Sequence, residues 1–194
     1  MDNPNAKGRL FVLSGPSGSG KSTIKDAVLR DMANVHFSVS ATTRPPRPEE
    51  VNGQDYFFLS KEQFAQMEKD GQFLEFAHYE GSGEHYGTPL APILEKIEKG
   101  VDVLLDIEVQ GAKQVREKMP EAILVFLFPP SMEILEKRLR DRGTDSEDKI
   151  QTRLQTAKQE YAERLWYDYL IINDSAFMAI EQMKGIILAE KCKL

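Results

Sequence analysis

Two rhythms of apolar positions alternate along the chain. Short apolar runs of strand character fall at residues 9–13, 56–59, 72–79, 101–105, 122–128 and 170–173. Residues 36–40 alternate polar and apolar side chains and read as a further short strand. Stretches with helical spacing lie between them, at 21–32, 60–71, 88–100, 110–119, 131–140, 144–164 and from Ser175 onward. Start and stop signals agree with these limits. Ser60 and Gln63 form a capping box, as do Thr144 and Glu147. Gly71 and Gly100 end their helices. Thr88-Pro-Leu-Ala-Pro92 opens a helix with both prolines in its first turn, where a missing N–H costs little.

Strands that alternate with helices predict an α/β fold with a parallel sheet covered on both faces. Ligands of such sheets sit at the carboxyl ends of the strands. The aromatic, antiparallel-looking strands of residues 38–90 interrupt this rhythm and read as an inserted subdomain. No internal repeat, low-complexity tract or flexible linker divides the chain.

A length of 194 residues suits one domain with a substantial core, and 41% hydrophobic with 29% charged residues is ordinary for a soluble globular protein. No apolar run approaches the roughly 20 residues that span a bilayer. Residues 1–9 are polar and lack the apolar centre of a signal peptide. Cys192 is the single cysteine, so no intrachain disulfide forms. A reducing compartment, the cytoplasm, is expected. With 25 Lys and Arg against 31 Asp and Glu, the net charge is −6, which argues against a broad nucleic-acid surface. A few focused arginines still suffice for small phosphorylated ligands.

The chemistry concentrates first in residues 10–23, where Gly15-Pro-Ser-Gly-Ser-Gly-Lys-Ser22 satisfies the phosphate-loop pattern between a strand and a helix. Gly15, Gly18 and Gly20 let the backbone curl so that successive N–H groups face one bound anion, and the helix adds its positive end. Lys21 supplies an ammonium for the outer phosphates, and the Ser22 hydroxyl suits Mg²⁺. Asp106 closes an apolar strand, as the carboxylate of a Walker-B element does. Such a loop alone leaves motors, GTPases, transporters and kinases open. Two groups of arginines narrow the choice toward a kinase with a phosphorylated acceptor. Arg44 and Arg47 lie in the proline-stiffened segment 41–48, while Arg138, Arg142 and Arg153 flank the glycine-broken segment 141–149, a candidate lid.

The chain resembles the guanylate kinases from Leu10 to about Lys191. The resemblance rests on Gly15-Pro-Ser-Gly-Ser-Gly-Lys-Ser22, Phe37-Ser-Val-Ser-Ala-Thr-Thr-Arg-Pro-Pro-Arg-Pro48, Gly53-x-Asp-Tyr-Phe-Phe58, Tyr86-Gly-Thr88, Val109-Gln-Gly111 and Arg142-Gly-Thr144. It implies a three-layer sandwich on a central parallel sheet, with core residues 9–37 and 89–194, a mixed α+β GMP-binding insert at about 38–88 and a helical lid at about 138–155. It also implies Mg²⁺-dependent, direct in-line transfer of the γ-phosphoryl of ATP to GMP, and to dGMP, giving ADP and GDP in purine nucleotide metabolism.

By that resemblance Gly15, Pro16, Ser17, Gly18, Ser19, Gly20, Lys21, Ser22, Thr23 and Asn173 hold ATP, and Ser22 and Asp106 hold the metal. Arg44, Arg47, Tyr56 and Tyr86 hold the GMP phosphate; Ser40, Glu75 and Thr88 read the guanine, with Glu108 also at GMP. Lys21, Arg44, Arg142 and Arg153 serve catalysis. A carboxylate such as Glu75 accepts both guanine N1–H and N2–H, whereas adenine offers no donor at N1.

Three positions depart from the family pattern. Glu108 stands where Asp is usual, the turn 80–85 is about two residues longer with His85 in place of Tyr, and Phe76 replaces a frequent Trp. The expected partners are the two nucleotides, without nucleic acid or membrane, and the oligomeric state is left open. Two other readings are a non-catalytic phosphopeptide-binding module of the same fold and a kinase for a different phosphorylated acceptor.

Overall fold

The computed structural model describes residues 7–79, 81–143 and 145–193. β1 (Leu10–Ser14) leads to α1 (Lys21–Asp31), followed by β2 (Val35–Phe37), β3 (Ala41–Thr42), β4 (Phe57–Phe58) and α2 (Lys61–Lys69). β5 (Phe73–Tyr79), β6 (Glu84–Pro89), α3 (Leu90–Glu98), β7 (Asp102–Asp106) and α4 (Val109–Lys118) come next. The chain closes with β8 (Ile123–Phe128), α5 (Met132–Asp141), α6 (Glu147–Ala162), a 3-10 turn at Glu163–Trp166, β9 (Tyr169–Ile172) and α7 (Ala176–Lys191). The parallel sheet has the order β2-β7-β1-β8-β9, with the strand that feeds the phosphate loop at its centre. β1 pairs in parallel with β8, and β8 with β9.

Contacts divide the chain into two compact units, one of residues 11–35, 104–109 and 123–194, the other of 36–103 and 110–122 with the segment that ends at Leu10. In the first unit, β8 is buried on both faces because its side chains alternate between two covers. Ile123, Val125 and Leu127 join Phe11 and Leu13 of β1 against Ile24 and Val28 of α1 and Ala179, Met183 and Ile187 of α7. On the opposite face Phe126 meets Tyr167 at 5.0 Å and Phe128 meets Tyr161 of α6 at 4.3 Å. This gives the three layers expected of a sheet with near-continuous apolar strands. A smaller cluster, Leu135 and Leu139 of α5 with Ile150, Leu154 and Ala157 of α6, holds those helices together.

The second unit is built on a four-stranded sheet of order β4-β3-β6-β5. Its strands are too short and too aromatic for a large aliphatic core, so Phe64 of α2 stacks on Phe73 at 4.5 Å, with Ala41 buried beside them. The capping box at Ser60 and Gln63 forms as expected.

Several expectations change. Thr88 and Pro89 belong to β6, a strand unforeseen in the sequence; α3 begins at Leu90 with Pro89 as its cap, so only Pro92 lies within the first turn. The strand expected at 36–40 stops at Phe37 as β2 of the parallel sheet, residues 38–40 are not strand, and β3 of the other sheet begins at Ala41. β3 and β4 run parallel, so the second sheet is mixed rather than antiparallel. α6 is capped by Ser146 without a side-chain hydrogen bond, in place of the box begun by Thr144, which lies outside the described residues, as does Glu80 of the 80–85 turn. The same helix ends at Ala162 and passes into the 3-10 turn.

Candidate active site

The loop after β1 curls because three of its residues adopt positive φ, 139° at Gly15, 93° at Gly18 and 102° at Gly20, where a side chain is strained. Lys21 opens α1 and folds its ammonium back over the loop, donating to the Gly15 carbonyl at 2.7 Å. Asp106 ends β7 with its carboxylate 4.0 Å from that ammonium. Burial raises the Asp106 pKa against the opposing pull of Lys21 and Lys25. Ser22 and Thr23 are exposed in the first turn of α1, beside the helix's positive end.

The back of the loop is braced by groups from distant elements. Asn173, just after β9 and 4% exposed, donates its amide to the Ser19 carbonyl at 2.7 Å. Its Oδ1 is buried with no hydrogen-bond partner among the described residues. Arg138 of α5 donates to the Asn173 carbonyl at 2.8 Å. Any Cβ at Gly20 would collide with the Asn173 amide, so that glycine is required twice, by its φ and by its neighbour. Arg153 of α6 donates to Ser17 Oγ at 2.6 Å and lies 3.4 Å from Asp145. Arg142 caps α5 and is exposed, without a side-chain hydrogen bond or ion pair among the described residues. Arg140 ties the same segment together by gripping Glu136 of α5 and Glu147 of α6. The Arg140 hydrogen bond, followed by that of Gln151, pulls Glu147 down to about 2.

A group absent from the sequence reading sits in this unit. Glu160 of α6 is partly buried, and its carboxyl is pushed up to about 7 by burial, opposed by Lys21 and reinforced by Glu108. Glu108, in the link between β7 and α4, therefore lies within electrostatic reach of Glu160. The signal was present in the sequence as a carboxylate three residues beyond Ala157, at the margin of the buried stripe Ile150, Leu154 and Ala157.

The remaining candidates gather on the second unit. Glu75 of β5 is 7% exposed and accepts a hydrogen bond from the Thr88 hydroxyl of β6 at 2.5 Å. The two residues face each other across the strands, and a register shift between Phe73 and Glu75 sets where the carboxylate points. Gly111 completes this corner, because a Cβ there would come within 2.6 Å of Glu75 Oε2. Ser40 is fixed by its carbonyl, which accepts the Phe57 N–H at 2.9 Å.

Arg44 leaves β3 and lies over the rings of Tyr56 and Phe58, 5.5 and 5.9 Å from their centroids. Tyr56 meets Tyr86 edge-on at 6.1 Å. Burial raises the Tyr56 pKa, and the Tyr86 hydroxyl is a hydrogen-bonding neighbour of Arg44. Arg47 is exposed on the same loop. Glu50, unforeseen in the sequence, binds the Arg44 guanidinium through both carboxylate oxygens. An apolar cavity of about 440 Å³ lies elsewhere on this unit, between α2, α3 and the backs of β3 and β4.

Comparison with known proteins points to one family. A guanylate kinase family model matches residues 7–190. A guanylate kinase of Desulfitobacterium hafniense is 47% identical over 187 residues, 96% of this chain and 92% of that protein. One from Lactobacillus acidophilus is 48% identical over 95% of this chain and 90% of its own length. The crystal structure of guanylate kinase from Anaplasma phagocytophilum is similar with a TM-score of 0.76 and 33% identity, covering 97% of this chain and 88% of that one.

Proposed function

The chain belongs to the guanylate kinase family of enzymes, and from that premise we propose that it transfers the γ-phosphoryl of ATP to GMP, and to dGMP, by direct in-line displacement. The observation that carries the acceptor assignment is the buried Glu75 carboxylate, held by Thr88 and left room by Gly111. A guanine edge offers it two adjacent donors; an adenine edge leaves a buried acceptor poorly paired, which costs roughly 1–3 kcal/mol. Ser40 completes the base pocket. Arg44, Arg47, Tyr56 and Tyr86 take the acceptor phosphate, and the planar guanidinium suits its oxygens.

The ATP phosphates occupy the loop Gly15–Thr23, with Lys21 released from the Gly15 carbonyl to meet them. Asn173 Oδ1, buried without a partner among the described residues, accepts from the adenine amino group. Arg142 and Arg153 act from a lid of about residues 138–155, and the acceptor segment spans about 38–88. Glu108 is placed beside GMP in this reading, with one methylene more than the Asp usual in the family.

Mg²⁺ fits the donors present. Asp106 is a partly buried carboxyl at the end of β7 with its pKa raised by that burial, and Ser22 is an exposed hydroxyl at the loop's exit. Among the described residues no three His, Cys, Asp or Glu side chains form a metal cage, and Mg²⁺ shared with phosphates requires only one or two protein ligands. Ser22 and Asp106 would hold it, and once bound it would supply positive charge to offset the charge that develops on the transferring phosphoryl group. Among the described residues no helix is long and apolar enough to cross a membrane, and we assign the enzyme to the cytoplasm.

The deciding experiment is ADP release from ATP and Mg²⁺ with GMP, dGMP, AMP, CMP and UMP in turn. GMP and dGMP should be turned over and AMP should be poor. Equal use of AMP sinks the guanine assignment, and no turnover with any acceptor sinks the enzymatic reading.

A further inference from the structure

The Arg44 guanidinium has five N–H donors in a fixed plane. Three of them are committed within the loop itself. Nη1 donates to Glu50 Oε2 at 3.0 Å and Nη2 donates to Glu50 Oε1 at 2.8 Å, so the carboxylate grips the fork end-on. The second Nη1 hydrogen goes to the Pro45 carbonyl at 2.8 Å. Planarity then determines what is left. The Nε–H and the second Nη2–H point in parallel from one edge, which is a second two-pronged fork. That edge belongs to a guanidinium held over Tyr56 and Phe58 with the Tyr86 hydroxyl as a neighbour.

Glu50 does a second thing at the same time. Its Oε2 also accepts the Arg47 backbone N–H at 2.7 Å, which closes the loop between the two arginines. The two side chains of the pair are only 14% and 13% exposed. The Arg44 hydrogen bond, followed by the Arg47 N–H, lowers the Glu50 pKa, so the carboxylate stays ionised at neutral pH.

We propose that Glu50 is a positioning residue of the acceptor-phosphate site, locking the Arg44 guanidinium end-on so that its Nε–Nη2 edge is presented to the phosphate of a nucleoside monophosphate. The proposal rests on the reading that Arg44 grips that phosphate. Glu50 acts with the phosphate and not against it. A competitor would have to occupy the same pair of N–H groups, whereas the end-on and side-on forks share no hydrogen. Retaining the carboxylate also leaves Arg44 with little rotamer freedom to lose when the substrate arrives.

The test compares Glu50→Ala and Glu50→Gln with Arg44→Ala and with the double variant Glu50→Ala/Arg44→Ala, measuring KM and kcat for GMP and for ATP. Glu50→Ala should raise the GMP KM roughly ten- to hundredfold, the scale on which a misplaced gripping group weakens a reaction, and should leave the ATP KM unchanged. Glu50→Gln keeps one acceptor and should fall between wild type and alanine. In the Arg44→Ala background the second substitution should add far less than it does alone, only what passes through the Arg47 N–H. A lowered GMP KM in Glu50→Ala means that the carboxylate competes with phosphate and overturns the proposal. Independent, multiplying effects of the two substitutions also overturn it, as does an equal rise in both KM values. Should Glu50→Ala fail to fold, the isosteric Glu50→Gln decides by the same split. An Arg44→Ala variant with unchanged GMP KM refutes the role of Arg44 itself, an outcome distinct from failure of Glu50 alone.

Discussion

Lys21 spends its charge on the loop's own carbonyls and on Asp106, so a triphosphate in the proposed site would replace existing partners and would not meet a bare cation. Lys21→Met should keep the fold and lower kcat by roughly 10³-fold or more, because cations on the transferring group carry much of phosphoryl-transfer catalysis. Steady-state ADP release checks this, and near-normal turnover would place the triphosphate elsewhere. Glu160 allows a separate test by pH. Its folded-state pKa of about 7 lies above the ordinary 4.5 of a glutamate. Between those values the folded chain holds a proton that the unfolded chain has lost. Stability therefore falls as pH rises from about 4.5 to about 7, and the cost persists above that window. Glu160→Gln should raise the melting temperature of the ligand-free protein at pH 8, by an amount equivalent to roughly 1–3 kcal/mol. The gain should vanish near pH 4.5; a constant gain across that range would mean the carboxyl is not perturbed. Neither Glu160 nor Glu50 was legible as a site residue in the sequence, because each owes its role to neighbours that only the fold supplies.

Among the elements, legibility followed aliphatic content. β8 is a continuous apolar run, β1 is one up to its closing Ser14, β7 is a short one between two aspartates, and the sequence predicts all three to within a residue or two. β6 escaped because Glu84-His-Tyr-Gly-Thr-Pro has no aliphatic run and ends in a proline that reads as a helix opener. It forms because β5 supplies a full antiparallel partner on one side and β3 pairs on the other. The same dependence on a partner applies to Gly111 in the first turn of α4. Glycine within a helix ordinarily costs about 0.5–1 kcal/mol relative to alanine, so Gly111→Ala judged on the helix alone should stabilise. The Glu75 carboxylate at 2.6 Å from the new Cβ reverses that expectation. Gly111→Ala should raise the GMP KM at least roughly tenfold, leave the ATP KM alone and lower stability by roughly 1–3 kcal/mol. Unchanged kinetics with a raised melting temperature would show that Glu75 has room to move and that the glycine serves the helix turn only.

For the whole molecule, the residues of the proposed donor and acceptor sites divide between the compact units: the phosphate loop with Asp106 in one, and Arg44 with Glu75 in the other. The donor half was readable almost complete, since a phosphate loop is a local pattern in which spacing alone brings the groups together. Of the acceptor half, Arg44 and Arg47 were readable from their proline-stiffened loop, whereas Glu75 and Thr88 were readable only by resemblance, because they meet through the pairing of β5 with β6 and a register shift. That difference has a thermodynamic consequence. A ligand that binds only the folded chain stabilises it by linkage, by about 2.7 kcal/mol at a hundredfold excess over Kd. Both GMP and ATP with Mg²⁺ should therefore raise the melting temperature of the wild type. Glu75→Gln removes one acceptor charge from the guanine corner without touching the phosphate loop, so its GMP-induced shift should be lost while the ATP-induced shift remains. Lys21→Met should show the opposite pattern. Loss of both shifts in either variant would mean that the substitution unfolds a shared framework, and the separation into a donor site and an acceptor site would fall with it.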